Sequence, residues 1–169
     1  GVESSKTTAS IANKAGINTI NEFFNHDFVI KHKLESKIDL INAAGVFFHL
    51  EELHSVTDGI KAALKPDGVF IVQFLYMKNI VENNAFDQIY HEHLLYYTLK
   101  TIEILLNRHG LSMFDAYVED IHGGSVIGYV THIDKAQPTD RLVELRQIEE
   151  KEKMNEIETY HLFFDRIKK

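Results

Sequence analysis

The spacing of apolar and polar residues changes several times along the chain, and each change marks an element. Residues Thr7–Ala15 read as a short helix, and Gly16 suits the left-handed stop that often ends one. Ile17–Ile20 looks like a short strand entering Asn21–Asn25. Ile38–Ala44 is an apolar run of strand length that follows a Lys-rich turn. From Leu50 to Leu64 the apolar residues fall at 53, 56, 60, 63 and 64, which is helical spacing. Lys65-Pro66-Asp67-Gly68 is a turn signal. It leads into Val69–Phe74, whose continuous apolarity predicts a strand buried on both faces. Strand, helix, turn and strand in this order predict a right-handed βαβ crossover and a parallel sheet.

After residue 75 the pattern loosens. Asn79–His93 is polar and interrupted, and Leu99–Asn107 is a second amphipathic helix closed by Arg108-His109-Gly110. Ser112–Val118 and Ser125–His132 read as strands of a hairpin, or as antiparallel strands closing the sheet, with His122-Gly123-Gly124 between them. Thr139–Lys169 reads as one long charged helix with Leu142, Leu145, Ile148, Ile157 and Phe164 on its apolar positions, started by Pro138 and Thr139. The division expected is an α/β domain over residues 1–135 and a helical extension or linker over 136–169.

Composition narrows the classes. An apolar fraction of 44% with 11% aromatics is enough for a core, and 169 residues suit one domain with a small appendage. No stretch approaches the roughly 18 consecutive apolar residues of a membrane span. The first residues lack the order of a signal peptide, so a soluble cytoplasmic protein is expected, with no membrane partner. A net charge of −7 argues against a nucleic-acid surface, which needs clustered Lys and Arg. The absence of cysteine removes disulfides, thiolate nucleophiles and Cys-based zinc sites.

The candidate chemistry lies with the ten histidines and their neighbours. Tyr90-His91-Glu92-His93 offers a phenol, two imidazoles and a carboxylate, all able to move protons. In an extended chain Tyr90 would share a face with Glu92, and His91 with His93; the plain alternative is a polar helix start or exposed loop. A metal reading of His91-x-His93 lacks a third ligand at motif spacing, so no metal is expected. His49 follows the Ile38–Ala44 strand, where ligands collect in open α/β sheets. His54 is read as solvated, and His26, His32, His109, His132 and His161 as surface or packing residues. His122-Gly123-Gly124-Ser125 is either a tight turn or a binding loop. Glu3 is placed like an acidic residue that accepts bonds from ribose hydroxyls, or is simply a solvated chain end.

Taken together, these segments resemble the C-methyltransferases that methylate nucleotide-linked keto-deoxysugars. The resemblance rests on Gly1-Val2-Glu3, the Ala43–Leu50 segment with His49, and Leu64–Phe70 with its Lys-Pro-Asp-Gly. It continues through Glu82-Asn83-Asn84, Phe86-Asp87-Gln88-Ile89-Tyr90-His91-Glu92-His93 and His122-Gly123-Gly124-Ser125, over most of residues 1–132. The run ending in Tyr-His-Glu-His is the specific part. It implies a partial class I methyltransferase sheet, Rossmann-like and starting near its second strand, with S-adenosylmethionine as cofactor and a nucleotide sugar as substrate. His93 would be the general base, with Tyr90, Glu92 and His49 positioning the sugar and stabilising an enolate. Glu3, Ser4, Ala43 and Ala44 would hold the cofactor, and Tyr76, His122 and Ser125 are candidates for substrate contacts. A carbon beside a ketone is weakly acidic, so a base of near-neutral pKa and a stabilised enolate are what the reaction needs.

The chain departs from the family pattern in several places. The amino-terminal zinc module, the Gly-rich cofactor loop and the carboxy-terminal α/β domain are expected to be absent, and weak or no cofactor binding follows from that expectation. Ala44-Gly45 stands where the family commonly has asparagine, and Val126-Ile127 where it has Leu-Arg. A second reading is therefore a degenerate or truncated methyltransferase-like module that binds or scaffolds without activity. In that reading residues 139–169 are a candidate homodimer face.

Overall fold

Ile38–Ala44 and Leu64–Leu75 pair in parallel as β1 and β2 in the computed structural model, which describes all of residues 1–169. Helix α3 (Leu53–Ala63) makes the crossover between them. Strand β2 then pairs antiparallel with β4 (Ser125–His132), and β4 with β3 (Leu111–Glu119), so the order is β1-β2-β4-β3. The expected hairpin is present as the closing antiparallel pair. Before β1 lie α1 (Lys6–Lys14) and α2 (His26–Lys31); after β2 come α4 (Met77–Glu82) and α5 (Leu99–Arg108), and after β4 come α6 (Asp140–Lys151) and α7 (Ile157–Ile167).

Alternation decides what each face of the sheet buries. Phe70, Val72 and Phe74 of β2 pair with Val130, Gly128 and Val126 of β4 on one face. That face forms the main core with Val56 and Ile60 of α3, Leu99, Ile102 and Leu106 of α5, and Leu142 of α6. Each fully buried aliphatic or aromatic side chain there contributes about 1.5–3 kcal/mol. On the other face Ile71, Ile127 and Tyr129 are only half-buried, and Leu40 on the β1 edge is 57% exposed. Burial of Val69–Phe74 on both faces is thus met only in part.

Three local expectations are corrected. The Lys65–Gly68 turn does not separate helix from strand: Ile38 pairs with Leu64 and Leu40 with Val69, so residues 65–68 bulge out of β2 opposite Asp39. There Lys65 Nζ donates to Asp39 at 2.7 Å. The strand expected at Ile17–Ile20 reduces to one bridge, Val2 with Ile20. Helix α2 has no periodic signal because it is six residues long; Asn25 Oδ1 caps it by accepting from Phe28 N–H at 2.9 Å.

The long helix over 139–169 is two helices. After α6, Lys153 adopts a left-handed conformation (φ 56°), Met154 N–H donates to Glu149 C=O and Lys153 N–H to Glu150 C=O. This is a Schellman stop without glycine. The break resets the helical phase, so Phe163 is buried while Ile157 and Phe164 are exposed. No helix of the chain is long and apolar enough to cross a membrane.

Candidate active site

The parallel strands set the site's location, because their carboxyl ends open on one edge of the sheet. Strand β1 ends at Ala44. Gly45, at φ 66°, then turns the chain into a single 3-10 turn, Phe47–His49, anchored by buried Phe47 and Phe48. Strand β2 ends at Leu75 and is followed by α4, a second 3-10 turn at Phe86–Gln88 and the Tyr90–His93 segment. Backbone bonds bring the two excursions together: Leu94 and Leu95 N–H donate to Phe48 C=O at 2.9 and 3.2 Å. Tyr97 O–H adds a bond to Phe47 C=O at 3.1 Å.

Tyr90–His93 is neither strand nor helix. His93 N–H donates to Tyr90 C=O at 3.0 Å, closing a tight turn. That geometry pairs Tyr90 with His93, not Tyr90 with Glu92 or His91 with His93. The Tyr90 and His93 rings lie 4.1 Å apart between centroids. His93 is only 8% exposed, with Phe48 edge-on at 4.8 Å, His49 at 5.1 Å and Tyr96 at 6.2 Å completing the enclosure.

Both imidazoles are oriented by carbonyl groups. His93 Nδ1 lies 2.9 Å from Gln88 C=O, and His49 Nδ1 lies 2.6 Å from Glu92 C=O. A carbonyl only accepts, so each ring carries its hydrogen on Nδ1 and, when neutral, keeps a lone pair on Nε2. Tyr96 O–H also donates to Gln88 C=O, at 3.3 Å. The Glu92 carboxylate is exposed beside exposed His91 and does not orient His93; the residue acts on the site through its backbone.

The remaining expected residues divide. Ala43 and Ala44 pair with Val72 and Gln73 at the strand ends, with Ala44 exposed. Glu3 accepts from Ser5 N–H at 2.7 Å, and Ser4 C=O accepts from Asn21 at 2.8 Å. The Val2–Ile20 bridge holds this segment, and Ile20 packs in the cluster that also contains Ile41 of β1. Tyr76 and Ser125 are corrected: both side chains are closed off from a ligand. Tyr76 is 1% exposed and donates its O–H to Glu149 at 2.9 Å. Ser125 is 0% exposed, accepts from Gln73 Nε2 at 3.2 Å and donates to Ile121 C=O at 2.9 Å. His122 is exposed in a left-handed turn (φ 53°) whose Gly124 C=O accepts from Tyr76 N–H. His109, read as a surface or packing residue, is tied to Asp58 at 2.6 Å and to His54 at 2.8 Å.

Sequence reasoning missed Phe48, Gln88 and Tyr96, which orient or enclose His93. Phe48 adjoins His49 in sequence and was within reach. Gln88 acts through its carbonyl, which no side-chain pattern reveals.

Comparisons with known proteins bear on the same segments. The family described as the C-methyltransferase C-terminal domain matches residues 120–169. Residues 136–169, expected as a helical extension or linker, thus lie within the matched segment. The C-methyltransferase NovU of Streptomyces niveus is 34% identical over 131 residues, covering 75% of this chain and 30% of NovU. The chain therefore spans about a third of that relative's length. Among solved structures, a Haloferax volcanii methyltransferase in complex with the Trm112 activator aligns with a TM-score of 0.60 at 12% identity, over 78% of this chain and 70% of that one. The magnesium protoporphyrin IX methyltransferase of Synechocystis PCC 6803, with bound S-adenosylhomocysteine, aligns with a TM-score of 0.57 at 14% identity, over 78% and 63%. The fold is that of class I methyltransferases.

Proposed function

We propose, for a chain that belongs to the family of S-adenosylmethionine-dependent C-methyltransferases, that its site removes a proton from a carbon beside a ketone and directs methylation to that carbon. The substrate class is a nucleotide-linked keto-deoxysugar, on the strength of the Tyr-His-Glu-His run and its flanking motifs. The observation that carries the reading is His93: enclosed, held through Nδ1 on the Gln88 carbonyl, with its Nε2 lone pair left for a proton.

In this reading His93 Nε2 takes the proton, and the C–H electron pair becomes an enolate. The Tyr90 hydroxyl, and His49 only in its imidazolium form, with Nδ1–H on the Glu92 carbonyl and a second N–H on Nε2, are the groups on hand to stabilise the enolate oxygen. The cofactor supplies an electrophilic methyl group on a sulfonium. When bound, the cofactor would give that methyl to the enolate carbon and leave as a neutral thioether; His93 holds the abstracted proton as an imidazolium and returns it to solvent. The exposed Ala44 and the left-handed Gly45 leave backbone open at the end of β1, a shape that fits a cofactor tail, and Glu3 is the carboxylate assigned to its ribose.

Deuterium wash-in beside the ketone of a nucleoside-diphosphate keto-deoxysugar tests the base without requiring the cofactor. Exchange that is lost in His93→Ala supports the reading. No exchange by the wild-type chain, with its fold intact, favours the binding or scaffold module instead.

A further inference from the structure

Residues 77–97 form one excursion between β2 and α5, and they carry both Tyr90 and His93. The neck of this loop is closed by a bridge between Tyr76 and Tyr97 and by Met77 N–H donating to Tyr97 C=O at 2.9 Å. A single carboxylate from a distant helix spans the same neck. Glu149 of α6 is 2% exposed and accepts from Tyr76 O–H at 2.9 Å on one side. On the other side it accepts from Leu99 N–H at 2.6 Å and Lys100 N–H at 2.9 Å, the first amides of α5. Asn155 Nδ2 donates to it at 3.1 Å, while the Asn155 carbonyl oxygen accepts from Thr98 O–H at 2.7 Å.

The rest of the carboxy-terminal segment holds the loop further out. Met154 and Phe163 form a buried cluster with Ile80 and Val81 of α4. Lys78 pairs with Glu82 at 2.6 Å and with Glu152 at 3.1 Å. Arg166 of α7 donates to Val81 C=O at 2.7 Å and to Asn84 Oδ1 at 2.9 Å, where the chain leaves α4 toward Gln88.

We propose that α6 and α7 brace the loop that carries the base, with Glu149 and Arg166 as positioning residues acting through the loop backbone. This rests on the assignment of His93 as base, and it gives residues 139–169 a part in the reaction without touching substrate. A carboxylate suits Glu149's place because both its oxygens accept and the amino-terminal end of α5 favours negative charge. A guanidinium suits Arg166's place because two acceptors must be reached at once from one side chain.

Arg166→Lys and Tyr76→Phe are the informative variants. Arg166 is on the surface, and Tyr76→Phe removes one hydroxyl while keeping the ring, so both should fold. The measurements are amide hydrogen exchange of residues 84–97, thermal melting, and kcat and KM for deuterium wash-in. The brace predicts faster amide exchange confined to residues 84–97 in both variants. It also predicts a fall in kcat of about ten-fold, within the range a displacement of under 1 Å produces, with KM changed little. Unchanged amide exchange in residues 84–97 overturns the brace, as does unaltered kcat with faster exchange. The amide readout needs no substrate, so a wild-type chain that fails to wash in deuterium overturns the assignment of the base and leaves the brace to be judged on exchange alone.

Discussion

Replacing His93 with alanine separates catalysis from stability more sharply than any other change at the site. The imidazole makes one hydrogen bond, to a carbonyl that Tyr96 O–H also serves. Its removal therefore costs one net bond, about 1 kcal/mol, and does not orphan a buried acceptor. The space left against Tyr90 and Phe48 adds a cavity cost, giving about 1–3 kcal/mol in all. For a chain of this length that lowers the melting temperature by about 2–4 °C per kcal/mol, so the variant stays folded at 25 °C. A positioned general base is worth about 10²–10⁴ in rate, or about 3–5 kcal/mol of barrier. Wash-in at 25 °C, with melting followed on the same samples, should show an activity loss that exceeds the stability loss. His91→Ala is the control: that ring is exposed, and both readings should stay near wild type. A His93→Ala chain that exchanges deuterium at more than a tenth of the wild-type rate lies below the range for a general base and refutes the assignment.

Three further outcomes follow from the fold. In Gly124→Ala the new Cβ would sit 2.2 Å from Asn79 Nδ2 and 2.6 Å from Asn79 Cβ at φ 124°, whereas Gly123→Ala meets nothing within 4 Å at φ 80°. Thermal melts should show about 1 kcal/mol lost for Gly123→Ala and a larger loss, about 2–3 kcal/mol, for Gly124→Ala, where the Asn79 contact adds to the backbone strain; equal losses would contradict the packing. Leu142→Ala, at a site that is 0% exposed in the main core, should cost about 2–5 kcal/mol by urea titration, and a loss under about 1 kcal/mol would mean that α6 does not dock there. Arg141, seconded by Thr139 and opposed by partial burial, holds the Asp115 carboxyl below its ordinary 3.8. Its stabilisation is complete above the ordinary value and is lost as pH falls through the lower folded one. The stability gap between wild type and Asp115→Asn should therefore stay constant above about pH 5 and narrow as pH falls below the ordinary value, and a gap that stays constant there would exclude the pairing.

What could be read before folding followed the range of each signal. Apolar runs of strand length located β1 and β2, and the period-3.6 pattern located α3 and α5, because those elements are long enough to stand out from their surroundings. Helix α2, at six residues, is too short to show a phase and is held by its Asn25 cap. The break at Lys153 was hidden for a different reason. Charged residues surround it, and its left-handed turn uses no glycine, so nothing in composition distinguishes Glu152–Glu156 from the solvated face of a continuous helix. The consequence reached Phe163 and Phe164, whose exposures are the reverse of what an unbroken helix requires.

The site divides along the same line, between side-chain identity and backbone geometry. Titratable residues in an unusual run pointed to Tyr90 and His93, since proton transfer needs those groups wherever the chain places them. Which of the four residues meet depends on a turn hydrogen bond between His93 N–H and Tyr90 C=O, and the orientation of both imidazoles depends on the carbonyls of Gln88 and Glu92. Every residue has a carbonyl, so no residue type marks the ones that matter. Glu92 shows the difference most plainly: chosen for its carboxylate, it serves through its backbone, and Glu92→Gln should leave the His49 anchor in place while any change that reshapes the 90–93 turn should not. Tyr76 shows the converse. Its phenol was a fair candidate for a ligand contact until the partner appeared, a glutamate 73 residues later in the chain, which a local reading of the sequence had no means to bring beside it.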